Sequence, residues 1–163
     1  MPAKALIEAS ELDLERPVFD LHAIRARNPH RHHMEMLDSV VHFDPQHGTI
    51  AGIKNVRPDE FWVSGHFPGR PVLPGVLMLE AAGQLCSVYC QETCGHKKVL
   101  VFAAIESARF RGMVVPGDRL LLMCKMLSTR SNATRFDTQG FVGTNLIFEA
   151  CILGMLSELH NNK

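Results

Sequence analysis

Within HFPGRPVLPGVLMLEAAGQ, His66 to Gln84, one imidazole, one carboxyl and one primary amide are framed by prolines, glycines and apolar side chains. Imidazole is the side chain best poised to accept a proton near neutral pH. Pro68, Pro71 and Pro74 restrict the backbone around His66, so its orientation can be set by the fold rather than found at the moment of reaction. Glu80 and Gln84 stand at i and i+4, on one face of a helix. Among Leu77, Met78, Leu79 and Ala81 a carboxyl is partly desolvated, which favours its neutral, proton-donating form, and Gln84 can hydrogen-bond it and fix its rotamer. Gly75 opens the helix, where unpaired amides and the helix dipole favour developing negative charge. Taken singly, His66 reads as a surface histidine and Glu80 as an acid facing solvent at a gap. Together, a base, an acid and an oxyanion donor suit removal of a proton beside a carbonyl with loss of hydroxyl from the next carbon, a β-elimination of water. No phosphate loop, metal-ligand set or nucleophile elbow competes.

These groups need rigid elements to hold them. VLMLEAAGQLCSVYCQE, Val76 to about Glu92, is apolar around nearly its whole circumference, as is a helix enclosed by the rest of the protein. The elements expected to enclose it are strands. LDSVVHFD (Leu37–Asp44) and GTIAGIKNV (strand Thr49–Val56) flank a turn cluster and predict a hairpin. EFWVS, Glu60–Ser64, predicts a short strand. Val99–Arg109, Arg119–Leu127, Thr134–Val142 and Leu146–Leu156, separated by PGD, RSNA and GTN, predict an antiparallel meander. The expected class is α+β, a sheet closing over one long helix. Residues 1–18 are expected to be a loosely held arm, and residues 19–163 a single domain beginning with a short helix, Phe19–Arg27, that Asn28-Pro29 ends.

Composition narrows the partners. A chain of 163 residues with 46% apolar and 21% charged residues is expected to form one ordered globular unit. Lys and Arg total 17, as do Asp and Glu, so no net field favours nucleic acid or an anionic membrane. With no apolar leader at the N-terminus and no stretch long enough to span a bilayer, a cytoplasmic protein is expected. The five cysteines are accordingly read as reduced thiols. Cys86, Cys90 and Cys94 recur every fourth residue but lack ligands from a second element, and His30, His32 and His33 form a second cluster. No metal and no cofactor is expected.

The stretch from His66 to Gln84 resembles the signature of the 3-hydroxyacyl-[acyl-carrier-protein] dehydratases, a single hot-dog family of fatty-acid synthesis. PHRHHMEMLD (Pro29–Asp38), NVRPDEFWVSGHFPG (Asn55–Gly69) and FAAIESARFRGMVVPGD (Phe102–Asp118) are similar to further segments of that family, in the same order from about Phe19 to Leu156. The resemblance implies a hot-dog fold, a curved antiparallel sheet wrapped around the central helix. It implies a homodimer at least, or a trimer of dimers, in which the histidine and carboxylate of one site come from different subunits. It also implies that His66 is the base, Glu80 the acid assisting departure of the hydroxyl, and Gly75 the donor to the thioester oxygen, with Gln84 and Phe67 in support. Glutamate at position 80 is similar to the branch that only dehydrates. His32-His33, Ser39 and Met113 depart from the family's usual Tyr-Pro, arginine and proline without touching that machinery.

An acidic acyl carrier protein needs a basic rim, for which Lys97, Lys98, Arg109 and Arg111 are the candidates. The expected reaction is conversion of a (3R)-hydroxyacyl carrier thioester to the trans-2-enoyl thioester. A hot-dog acyl thioesterase, which would turn the carboxylate to water activation, and a non-catalytic acyl-binding subunit are the alternatives. Retention of both His66 and Glu80 counts against each.

Overall fold

The computed structural model describes residues 4–95 and 98–158. Its centre is the helix α2 (Gly75–Cys94), and around it lies a six-stranded antiparallel sheet. The strands are β1 (Ser39–Asp44), β2 (Thr49–Asn55), β3 (Lys98–Phe110), β4 (Arg119–Arg130), β5 (Ala133–Val142) and β6 (Asn145–Glu158), in the spatial order β1-β2-β4-β5-β6-β3. The predicted hairpin is β1–β2, and β4, β5 and β6 run as the predicted meander. β3 departs from it, crossing to the far edge to pair with β6.

The all-round apolar character of α2 has the expected cause. From Met78 to Gln91 nearly every side chain is buried, with Leu85 and Tyr89 packed among Ile50, Leu122, Phe136 and Phe148 of the sheet's inner face. Tyr89 lies edge-on to Phe136 and tilted against Phe43. Such aromatic pairs add to area burial and fix the rotation of the helix. This wrapped-helix arrangement is the hot-dog fold. Among the described residues no helix is long and apolar enough to cross a membrane.

A short helix, α1 (Leu21–Arg27), precedes the sheet. Asp20 caps it by accepting from the Ala23 amide at 2.8 Å, and it ends before Pro29, as the sequence predicts. The segment ahead of it is held, not loose. Ile7 is buried with Val41, Ala51, Ile53 and Met123 on the outer face of the sheet, with Leu6, Leu12 and Leu14 packed around them. The Gln139 side chain accepts from the Leu6 amide and donates to the Lys4 carbonyl, and Arg119 donates to Glu15 and to the Leu14 carbonyl. Apolar residues on both faces of β2 therefore reflect two layers, helix inside and arm outside.

EFWVS is not a strand. Residues 60–64 form consecutive turns in which the Val63 amide bonds back to Glu60 and the Gly65 amide to Trp62. The alternation of polar and apolar residues there reflects Glu60 and Trp62 folding inward beneath the loop, not a pleated surface.

Candidate active site

His66 sits at the end of those turns. Its amide donates to the Trp62 carbonyl at 2.8 Å, its carbonyl accepts from the Val72 amide at 2.7 Å, and its ring Nδ1 lies 2.6 Å from the Val72 carbonyl. A carbonyl can only accept, so Nδ1 carries the proton in that bond, and in the neutral ring Nε2 is the nitrogen with the lone pair. The exposed Phe67 ring stacks on the imidazole with centroids 4.2 Å apart. The proline-rich loop continues to Leu73, whose amide is tied to the Val114 carbonyl at 2.7 Å, and enters α2 at Pro74.

Gly75 is the first helical residue, so its amide has no intrahelical acceptor. A side chain there would displace the Phe110 ring, from which a Cβ would stand 2.8 Å. The ring of β3 thus packs directly on the mouth of the helix.

Glu80 faces a separate cavity of about 210 Å³, lined among others by His30, Gly83, Leu100, Phe102 and Ile152. Gln84 holds it: one amide nitrogen donates to Glu80 Oε1 at 2.8 Å and to the Met34 carbonyl at 2.7 Å, while its oxygen accepts from the Met36 amide at 3.1 Å. The Gln84 backbone carbonyl in turn accepts from Asn28 at 2.9 Å. The amide is buried and the carboxyl is 22% exposed, so Glu80 is fixed from below and open toward the cavity.

His30 also belongs here, with Nε2 3.5 Å from Glu80 Oε1. Its Nδ1 is buried with no partner among the described residues. Burial pulls the imidazole below the ordinary histidine value; Glu80 opposes that shift and Arg31 adds to it. Composition offered no sign of this placement. Only the proximity of Pro29 and the end of α1 could have suggested that His30 turns back on α2.

Within one chain His66 does not line the cavity of Glu80. Of the expected docking residues, Lys97 lies outside the described residues. Lys98 is half-buried at the start of β3 and its carbonyl accepts from Gln91. Arg111 is paired with Glu149, and Arg109 shares a shallow depression with Asp137 and Glu149. Lys98 and Arg109 stand about 36 Å apart along β3, at about 3.3 Å per residue, so one chain does not gather them into one patch.

The thiols are placed quietly. Cys86, Cys90 and Cys124 are buried, and burial pushes Cys90 up to about 12. Among the described residues no group of three or more His, Cys, Asp or Glu side chains is arranged to hold a metal ion.

Comparison with known proteins places the chain in a family. The FabA-like domain family matches residues 28–151. The 3-hydroxyacyl-[acyl-carrier-protein] dehydratase FabZ of Legionella pneumophila is 35% identical over 144 residues, covering 86% of this chain and 95% of that one. The bifunctional enzyme LpxC/FabZ of Chlorobaculum tepidum is 36% identical over 146 residues, 88% of this chain but only 31% of that protein. Among solved structures the dehydratase heterocomplex ApeI:P from Xenorhabdus doucetiae superposes with a TM-score of 0.71, covering 83% of this chain and 91% of that chain at 14% identity, a likeness of fold. The chain therefore belongs to the FabA-like domain family, among the 3-hydroxyacyl-[acyl-carrier-protein] dehydratases.

Proposed function

We propose that this protein dehydrates (3R)-3-hydroxyacyl thioesters carried on acyl carrier protein, with His66 as base and Glu80 as acid. The observation that carries the assignment is the bond from His66 Nδ1 to Val72, which fixes the tautomer with a free Nε2. In the proposed step Nε2 takes the C2 proton of the thioester, and the C–H electron pair becomes the C2–C3 double bond. The C3–O bond breaks as Glu80 protonates the departing hydroxyl, releasing water. The Gly75 amide donates to the thioester oxygen while it carries enolate charge. The proton then passes from His66 back to Glu80 through solvent.

Two subunits are needed for this reading, because Glu80 and His66 do not share a cavity within one chain. A second copy has a natural seat. β3 is an edge strand bonded only to β6, and its Val101, Phe102, Ile105 and Phe110 are 39–49% exposed beside both half-sites. A long, apolar, unpaired edge is a surface that soluble proteins cover. A homodimer at least, working on an acyl carrier in the cytoplasm, fits these features. Arg109 near the end of β3 and Arg111 just beyond it are the proposed contacts for the carrier, with Lys98 at the far end of the strand.

The test is to follow the enoyl chromophore with a crotonyl or 3-hydroxybutyryl thioester, alongside a free-thiol assay. Reversible hydration that falls at least about a hundredfold in His66→Ala and in Glu80→Gln is expected, the usual scale of general acid–base catalysis. Thiol release would mark a thioesterase instead, and tight acyl binding without turnover a carrier-binding subunit.

A further inference from the structure

Lys54 is the residue that the fold least requires. It lies next to the end of β2, opposite Leu120 of β4, on the same face of β2 as Ile50, with a side chain 3% exposed. Its ammonium bonds both oxygens of Glu60, at 3.0 and 2.9 Å, and the Glu60 side chain is 7% exposed. The other two bonds to that carboxylate come from the loop itself: the Arg57 amide at 2.9 Å to Oε1 and the Trp62 indole N–H at 2.9 Å to Oε2. Burial would push the Glu60 carboxyl up, but the Arg57 amide, the Trp62 indole and Lys54 together hold it below the ordinary carboxylate value.

A buried ion pair is a poor way to gain stability, since desolvating two charges offsets their attraction and apolar side chains of the same volume do as well or better. What four directional bonds to one carboxylate do provide is a single loop geometry. The Trp62 carbonyl is the acceptor for the His66 amide, at 2.8 Å. A continuous chain therefore runs from the rigid strand β2 through Lys54, Glu60 and Trp62 to the backbone of His66.

We propose that the Lys54–Glu60 ion pair is a positioning device for the catalytic base: by locking the Trp62 turn it sets where His66 Nε2 points. This rests on the reading of His66 as base. Lys54 and Glu60 touch no reacting atom; they act through Trp62. The loop's attachment to β2 is otherwise limited to the Val56 and Asp118 region, where the Val56 amide donates to Asp118 and the Gly117 amide to Val56. Beyond those bonds the loop is held by the Arg57–Asp38 ion pair at 3.5 Å and by Trp62, which is buried in the core; the Lys54–Glu60 pair is what ties the Trp62 indole N–H and the Arg57 amide to β2.

The test separates positioning from stability by replacing the pair with an apolar one. Lys54→Met/Glu60→Leu also leaves the Trp62 indole N–H and the Arg57 amide without their acceptor, so its urea unfolding midpoint is expected to fall; in protein kept fully folded, kcat is expected to fall roughly 10- to 100-fold while KM stays within about threefold. In nitrogen-15 spectra of the imidazole, the parent is expected to show a single His66 tautomer protonated on Nδ1, and the double variant a mixture. Trp62→Phe, which removes the indole N–H together with part of the ring and leaves Lys54 and Glu60 in place, serves as the milder variant, with an expected loss of about three- to tenfold in kcat and the same tautomer change. Lys54→Arg, which keeps the charge and the donors, is expected to restore most of kcat. Parent-like kcat and a single tautomer in the double variant, or in Trp62→Phe should the double variant not fold, overturn the proposal. The spectra distinguish the two levels of inference. If His66→Ala keeps turnover, the assignment of the base fails, yet the tautomer still reports whether the ion pair orients the ring.

Discussion

Gly83 and Phe102 face each other across the wall of the Glu80 cavity, so closely that a Cβ on Gly83 would stand 2.6 Å from Cζ of the Phe102 ring. The helix turn carrying the acid and the exposed edge strand thus share one contact. The tip of the ring meets the helix while the side chain remains 39% exposed, so in the proposed reading its bulk sets the width of the space offered to an acyl chain. Gly83→Ala is expected to push the ring into the cavity and Phe102→Ala to widen it. Measured with a short and a long 3-hydroxyacyl thioester, the long-to-short ratio of kcat/KM should rise roughly tenfold in Phe102→Ala, the low end of what hydrophobic pockets achieve per methylene, and fall in Gly83→Ala. An unchanged ratio in both would move the acyl chain elsewhere.

Gln84 is spent on three partners at once, Glu80, Met34 and Met36, and is itself buried. Gln84→Leu leaves the Met34 carbonyl and the Met36 amide without that partner and frees the Glu80 rotamer. One buried amide, that of Met36, left unpaired predicts a loss of about 1–3 kcal/mol in urea unfolding. Loss of the rotamer predicts a further effect, roughly a tenfold fall in kcat for the fraction still folded. Stability lost with kcat intact would make Gln84 a prop for the His32–Met34 turn alone.

How far the sequence reaches is plain from where these residues lie. Periodicity located α2 and the strands to within a few residues, because apolar burial is a local pattern repeated along each element. It placed β3 wrongly in the sheet, since all antiparallel strands read alike and the edge position is fixed only by pairing with β6. His66, Glu80 and Gln84 were legible because they crowd into one unusual stretch. Lys54 and His30 were not. Each is an ordinary polar residue in its own segment, and each acquires meaning from a partner that only folding brings near, Glu60 in one case and Glu80 in the other. The arm misled for the same reason, as Ile7 and Leu12 look like stray hydrophobes until the outer face of β2 is beneath them.

His30 gives a prediction in pH whose sign can be worked through. Burial holds its folded-state value below the unfolded histidine value of about 6.5, with Glu80 opposing and Arg31 adding to the shift. Between those two values the unfolded chain binds a proton that the folded protein refuses, so stability contributed by His30 is fully present above about pH 6.5 and is lost as pH falls through the folded value. The groups that face the ring are Glu80, Gln84 and Arg31, all retained in His30→Asn, so their own titration largely cancels when variant and parent are compared. Urea midpoints taken at equal protein concentration from pH 8 down to pH 5 should therefore show the parent losing stability faster than His30→Asn below about pH 6.5, with the two curves parallel above it. Parallel midpoint curves over the whole range would show that the ring titrates alike in the folded and unfolded chain, and that its burial beside Glu80 does nothing to keep it neutral.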